Sequence, residues 1–507
     1  MSKPRQAIFI ITDTQRPDMI GCYGGQNVHT PNLDRLAREG LKFDRAYCVA
    51  PICGPARAAL FTGQYPHANG SWSNGQPLGQ TVLTLGQRLR DAGVGAAYIG
   101  KWHLDGHDYF GGGLPADGWD AEAWYDMRRY LEELTPAERE RVRRPETNFK
   151  DPVPAEMVYA HRCTERAAAF VRAHADQDFL LVVSYDEPHH PWITPAEYLD
   201  RSDLEPFFQN PSRTDTLANK PEHQRIWAEK AVGFTEAEER EALRQVLASN
   251  IFVDREIGRL LAAVEDACPE ALLLFTTDHG DLFGGHRLQG KGPAMYEEIA
   301  HVPLLARWPG HTAPGTVCPG VVSHISLTPT FLDFFGVPLH PVLDGESLLP
   351  AFADPARTPA GPAFMEFGRF EVDHDGFGGF EPIRAACDGR YKLVVNLLDT
   401  DEFYDLAEDP HELDNRIDHP ACAAARDRLH DAVIAWMDRT RDPFRGHRWV
   451  RRPWRHDAPE ATWDNSGMTR QRAVEAHELP QLDYDTGLPP QELTRRKRTA
   501  IDPAKKK

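Results

Sequence analysis

Residues 7–13 read Ala-Ile-Phe-Ile-Ile-Thr-Asp, six apolar or β-branched residues that end on a carboxylate. A strand without polar alternation is buried on both faces, which places it in a mainly parallel sheet covered by helices on either side. The pattern recurs at 94–100 (VGAAYIG), 179–185 (FLLVVSY), 271–277 (ALLLFTT) and 302–307 (VPLLAR). Helix signals lie between these strands. Thr30, Pro31 and Gly40 mark the N-cap, first position and stop of one helix, Thr84 and Gly93 bracket another, and a charged helical segment runs from about 236 to 265. The alternation predicts an α/β fold, with residues 1–350 as the main domain.

After Pro350 the texture changes to short alternating strands, FMEFGRF, EPIRAACDGRYKLVVN and DEFYDL, with Asp388-Gly389 as a hairpin turn. A small antiparallel sheet followed by a helix at about 420–438 makes 351–440 a second, smaller subdomain. Residues 441–507, rich in Arg, Pro and Trp, show no periodicity and read as an extended arm, which offers a contact for a homo-oligomer.

The chain has 507 residues, 41% of them hydrophobic and 26% charged. That composition excludes a single small module and a mainly disordered chain. Lys and Arg number 57 against 76 Asp and Glu, a net charge of −19 that repels nucleic acid. Eight Cys scattered from Cys22 to Cys422 form neither a disulfide framework nor a CxxC metal knuckle, which suits a reducing compartment. The apolar run before Thr12 is too short for a signal segment, and no stretch reaches the roughly 18 apolar residues of a membrane span. The expectation is a cytoplasmic protein without a membrane partner.

Polar residues gather directly after the strands: Asp13, Lys101 and His103, Asp186 to His190, and Asp278 with His279. In open α/β sheets ligands bind at the carboxyl ends of the strands, so these segments are expected to share one pocket. The sharpest segment is Cys53-Gly54-Pro55-Ala56-Arg57-Ala58-Ala59-Leu60-Phe61-Thr62-Gly63. Pro55 suits a first helical position and Gly63 the residue past a helix end, so Cys53 belongs at a helix N-terminus, where anions are stabilised. Arg57, one turn on, is placed to neutralise a bound oxyanion. Three residues intervene between the Cys and the Arg, where a phosphatase thiolate loop has five. Taken singly, each segment also reads as structure: a buried Cys near a helix start, a core histidine, a solvated loop lysine.

The segment resembles the C-x-P-x-R-x-x-L-x-T-G signature of type I sulfatases, in which the Cys is oxidised to Cα-formylglycine. The resemblance extends to TPNLDRLAREG, GKWHL, the Pro188-His189-His190-Pro191 segment, TTDHGD, the GKG around Lys291, and DGRYKLVVN with DEFYDLAEDPHELDN. It covers most of residues 7–420 and none of 441–507. It implies an alkaline-phosphatase-like sandwich and a sulfuric ester hydrolase. Cys53 becomes the formylglycine precursor and Arg57 its stabiliser. Lys101 and His103 contact sulfate and nucleophile, and His189 and Lys291 contact the sulfate. His190 is the alternative to His189 if the loop register differs. Asp13, Asp278, His279 and residue 53 become the ligands of one divalent metal ion, Ca²⁺ in the family. A maturing enzyme that generates formylglycine is the implied partner, and a small sulfated molecule the implied substrate. In the implied chemistry a hydrated formylglycine attacks sulfur with one hydroxyl, a histidine protonates the leaving oxygen, and the second hydroxyl then ejects sulfate.

Two departures bear on this. Many sulfatases carry adjacent Asp residues at the first metal segment, whereas Asp13 is followed by Thr14; and His279 stands where Asn or Gln is frequent. Fewer oxygens and one nitrogen tilt the site toward Mn²⁺ or Zn²⁺. The same Asp-His pair resembles the phosphonate monoester and phosphodiester hydrolases of the superfamily, the leading alternative function. A third reading, a silent sulfate-binding module, leaves an activated nucleophile without purpose. Trp72, Trp102, Tyr109, Phe110 and Trp192 flank the motifs and are expected either as a substrate rim or as core packing.

Overall fold

A seven-stranded sheet in the order β3-β4-β1-β5-β6-β2-β7 carries the site. Its strands are β1 (Gln6–Thr12), β2 (Leu41–Tyr47), β3 (Gly95–Gly100), β4 (Phe179–Ser184), β5 (Leu272–Thr277), β6 (His301–Arg307) and β7 (Thr316–Ser323). The computed structural model describes residues 3–26, 28–79, 81–106, 109–143, 153–199, 203–230, 235–370 and 380–455. All pairings are parallel except those of β6, which runs against β5 and β2.

Side chains of β1 alternate between two cores. Phe9 and Ile11 join Phe61 and Phe331 on one face, while Ile8 and Ile10 join Phe252 and Ile257 of the long helix Glu236–Ala267 on the other. Helices on both faces explain why β1, β4 and β5 show no polar alternation: all are wholly buried. β2 and β7 escaped the sequence reading for the opposite reason. LKFDRAY and TVCPGVVS lie near one side of the sheet, partly exposed, and their charged or proline positions break the apolar run.

Helix α1 (Pro31–Glu39) runs between Thr30 and Gly40 as expected, though the Thr30 side chain makes no cap bond. Thr84 does cap its helix, Leu85–Asp91, in a reciprocal box with Gln87. The second sheet, in the order β11-β10-β9-β8, is antiparallel throughout. It comprises β8 (Ala363–Phe367), β9 (Ile383–Cys387), β10 (Tyr391–Asn396) and β11 (Glu402–Asp405), and Gly389 takes φ 89 in the expected β9–β10 turn. The helix Ala423–Thr440 covers it, with Trp436 stacked on Phe364. Of the segment expected to be an arm, residues 441–455 instead enter this core, with Trp449 and Trp454 buried in it. Residues 456–507, including the basic tip, lie outside the described residues.

Among the described residues no helix is long and apolar enough to cross a membrane.

Candidate active site

Strand register produces the convergence. Thr12 of β1 lies opposite Thr277 of β5, so Asp13 and Asp278 leave the sheet side by side, and the Asp278 N–H donates to the Thr12 carbonyl at 3.2 Å. Gly100 of β3 pairs with Ser184 of β4 at the same level. A Cβ on Gly100, at φ 124, would lie 1.9 Å from the Ser184 oxygen, so glycine is required where Lys101 is delivered.

Helix α2 (Cys53–Thr62) brings the sulfur to this edge and ends on Gly63 in left-handed backbone, φ 65. Cys53 is itself the first helical residue and Pro55 the third, which sets the thiol closer to the positive helix end than a Pro55 start would. Asn74 Oδ1 accepts the Gly54 N–H at 2.9 Å.

Around the Cys53 sulfur stand Lys291 Nζ at 2.9 Å, His279 Nε2 at 3.2 Å and Asp13 Oδ1 at 3.9 Å, and His103 also reaches it. Burial and Asp13 push the thiol up, but Lys291, Lys101 and His279 outweigh them and hold it well below its ordinary value. Asp13 is treated likewise: burial raises it, and Lys101, His189, Lys291 and Arg57 bring it well below the usual carboxylate range. Burial and the nearby Asp13 push Asp278 up to about 6. Burial lowers His103, leaving a neutral ring whose buried Nδ1 has no hydrogen-bond partner among the described residues.

Arg57 differs from the expectation of a direct oxyanion contact. Its buried guanidinium donates to Asp278 Oδ2 at 2.9 Å, Asp13 Oδ2 at 3.0 Å, the Lys101 carbonyl at 2.9 Å and Ser184 Oγ at 2.8 Å. It therefore holds both carboxylates, with four of its five N–H groups donated within the protein.

The donor set fits a divalent cation. Ligand atoms of Asp13, Cys53, Asp278 and His279 all lie within 4.8 Å of one another, in a wholly buried group. Arg57 takes Oδ2 of each carboxylate and leaves Oδ1 to the cluster. His279 Nδ1 lies 2.7 Å from the Gly280 carbonyl, which can only accept, so Nδ1 carries the proton and Nε2 presents its lone pair to the site. Thr14, in the place of a second Asp, adopts φ 65 and turns its N–H toward Asp278 Oδ1 at 3.4 Å. Left-handed backbone at a β-branched residue costs about 1–3 kcal/mol, strain of the kind that collects at functional sites.

Lys101 Nζ is buried between Asp13 Oδ2 at 2.7 Å, Asp186 Oδ1 at 3.0 Å and Tyr109 Oη at 3.0 Å. His189 and Lys291 line one cavity of about 260 Å³ with Thr14, Trp192, Phe283 and Phe370. The structure thus gathers Asp13, Cys53, Arg57, Lys101, His103, Asp278, His279 and Lys291, with His189 at the mouth. His190 is exposed, and its carbonyl contacts His189. Trp102 is core, packed on Phe61 and Tyr98, whereas Trp192 does border the cavity. Sequence reasoning placed Asp186 at the pocket, as a carboxylate directly after a buried strand, but gave it no role, and it missed Ser184 and Asn74; Asn74 lies in a loop without any spacing signal.

A family model described as Sulfatase matches residues 5–337, and one described as N-sulphoglucosamine sulphohydrolase, C-terminal, matches 284–439. The chain is 41% identical over 491 residues to the uncharacterized sulfatase YidJ of Escherichia coli (strain K12), covering 96% of this chain and 97% of that protein. A structure solved with its substrate D-glucosamine-2-N,6-O-disulfate superposes with a TM-score of 0.70 at 22% identity, over 87% of this chain and 99% of that one. The phosphonate monoester hydrolase of Silicibacter pomeroyi does so with a TM-score of 0.72 at 25% identity, over 86% and 96%. The chain belongs to the sulfatase family, with the alkaline-phosphatase-like fold of that superfamily, and is a sulfuric ester hydrolase.

Proposed function

We propose that this enzyme releases inorganic sulfate from a small sulfate ester, of a sugar or an aryl alcohol, with residue 53 as nucleophile after oxidation of Cys53 to formylglycine. The observation that carries this reading is the Cys53 sulfur at a helix N-terminus, 2.9 Å from Lys291 and grouped with two carboxylates and an imidazole. A maturing enzyme that generates formylglycine is the partner this requires, and the net charge supports neither nucleic acid nor an acidic surface as a partner. Eight cysteines, all free, support a reducing, cytoplasmic location.

Asp13, Asp278, His279 and residue 53 would hold one divalent cation, which when bound supplies Lewis-acid activation of the nucleophile. Ca²⁺ follows from the family, while a nitrogen ligand and Thr14 favour Mn²⁺ or Zn²⁺. Lys101 and Lys291 bind the nonbridging sulfate oxygens, where charge grows in the transition state. Arg57 keeps the two carboxylates ionised and fixed. His103, neutral and beside residue 53, orients the nucleophile. His189, at the mouth, gives its proton to the leaving oxygen as the sulfur–oxygen bond breaks. The aromatic wall of Trp192, Phe283 and Phe370 receives the organic part.

A second reading, phosphonate monoester or phosphodiester hydrolysis with the same nucleophile, is favoured by the Asp278-His279 pair and by Thr14. Lys101 and His103 support sulfate instead. Initial rates on sulfated sugars, 4-nitrophenyl sulfate, bis-4-nitrophenyl phosphate and a phenyl phosphonate, each with Ca²⁺, Mn²⁺ and Zn²⁺, decide between them. The proposal expects kcat/KM to be highest for a sulfate ester; a phosphodiester or phosphonate preference would overturn it.

A further inference from the structure

Tyr109 is bound into the site by three polar contacts that none of the motifs accounts for. Its hydroxyl lies 2.5 Å from Asp186 Oδ1, 3.0 Å from Lys101 Nζ and 3.0 Å from His189 Nδ1. Its ring packs 5.3 Å from that of His103 and 5.5 Å from that of His189, with Lys101 Nζ 4.1 Å from its centre.

A phenol has one hydrogen to give. Asp186, an ionised carboxylate paired with Lys101, can only accept, and its 2.5 Å separation suits a hydroxyl-to-carboxylate bond. Lys101 can only donate. The Tyr109 hydrogen therefore goes to Asp186, and its oxygen accepts from Lys101 and from His189. His189 Nδ1 must then carry a hydrogen. The carbonyl of His190, 2.8 Å from the same Nδ1, requires this independently. Both contacts fix one tautomer, with Nδ1 protonated and Nε2 left as the nitrogen that exchanges a proton with substrate.

We infer that Tyr109 is a positioning residue for the leaving-group acid: its Asp186-anchored hydroxyl accepts from the His189 Nδ1–H and holds the ring in the orientation in which Nε2, once protonated, presents its hydrogen to the departing oxygen. The inference rests on the proposed role of His189. When the sulfur–oxygen bond breaks, the proton passes from Nε2 to the leaving oxygen, and the ring returns to the neutral form with hydrogen on Nδ1. Asp186, reached through the phenol, stabilises the charged ring beforehand. Lys101 depends far less on Tyr109, because Asp13 and Asp186 hold it at 2.7 and 3.0 Å without the phenol.

This separates two roles that a simple loss of activity would confuse. Protonation matters for a poor leaving group and little for a good one, whereas a contact to sulfate matters equally for both. Tyr109→Phe, which keeps the ring and deletes the hydroxyl, is compared with the unaltered holoenzyme on 4-nitrophenyl sulfate and on a sugar or alkyl sulfate. The expected result is a fall of about 10-fold or more on the sugar or alkyl ester, within the general-acid range. The 4-nitrophenyl ester should stay within about 2-fold, and inhibition by inorganic sulfate should be unchanged. An equal loss on both esters, or none on either, overturns the assignment. If the unaltered enzyme turns over phosphate diesters or phosphonates instead, the sulfate reading fails by itself. The same pair of leaving groups on that ester class then reads Tyr109 with the same two outcomes.

Discussion

Among the buried clusters of charge in the described residues, two are built differently. At the strand ends, Asp13, Asp278, Cys53 and His279 turn ligand atoms toward one another, while Arg57, Lys101 and Lys291 stand around them. Between the large and small sheets, Lys392 of β10 lies 2.7 Å from Glu297 and 2.8 Å from Glu412, and the Glu297 N–H donates to Glu412 at 2.6 Å. Lys220, Asp215, His286 and Glu298 continue this second cluster as alternating charges. There burial and Glu297 push Glu412 up to about 7 even though Lys392 opposes them, while burial raises Glu297 and Lys392 with His301 more than offsets it. The second cluster sets opposite charges against each other and joins two sheets. The first sets like groups face to face and needs something between them. Buried charge alone therefore does not mark the active site; the facing of donor atoms does.

Substitutions in the two clusters should separate activity from stability. Asp278→Ala removes a ligand, and it should lose bound metal together with turnover, by on the order of 10³-fold or more. Metal analysis of the purified variant beside its kinetics checks this, and full occupancy with normal turnover would remove Asp278 from the ligand set. Lys101→Ala and Lys291→Ala should each lower kcat/KM by on the order of 10², similarly for every leaving group, because both act on sulfate. A loss confined to one leaving group would assign them to the organic part. In the second cluster Lys392→Met strands Glu297 and Glu412, and denaturant unfolding should show a loss of roughly 3–5 kcal/mol while kcat under folding conditions changes little. A catalytic defect without destabilisation would join the two clusters.

The smallest effect concerns pH. Glu187 caps the helix Tyr159–Ala173 by accepting the Ala160 N–H at 2.9 Å, while its buried Oε2 has no hydrogen-bond partner among the described residues. Burial and Asp186 push its carboxyl up to about 8 from 4.5. Between those values the folded protein holds a proton that the unfolded chain has released, so stability falls as pH rises through this window. Glu187→Gln keeps the cap and removes the titration, so the drop in Tm between pH 5 and pH 8 should shrink. An unchanged pH profile would show that this carboxyl ionises at its ordinary pH.

Much of this arrangement is legible in the sequence because parallel strands buried on both faces are written as unbroken apolar runs. The first polar residue after each run then marks one edge of the sheet, which is how Asp13, Lys101 and Asp278 could be placed together. The segment from Cys53 to Gly63 carried its own helix start and stop. What could not be read depended on side chains crossing between distant segments. Arg57 is one turn from Cys53 along the helix, yet its partners are Asp13, Asp278 and Ser184, and no local spacing tells a supporting guanidinium from one that meets substrate. Tyr109 lies in an irregular loop, where it reads equally well as rim or core. β2 and β7 were hidden because partial exposure admits charge and proline into a strand.

Peptide mass spectrometry of residue 53, read beside the specific activity of the same preparation, tests the central claim most directly. The account predicts that active protein carries an aldehyde at position 53, that activity rises in proportion to the converted fraction, and that Cys53→Ala lacks measurable turnover while remaining folded. Fully active enzyme with an unmodified Cys53 thiol would contradict it.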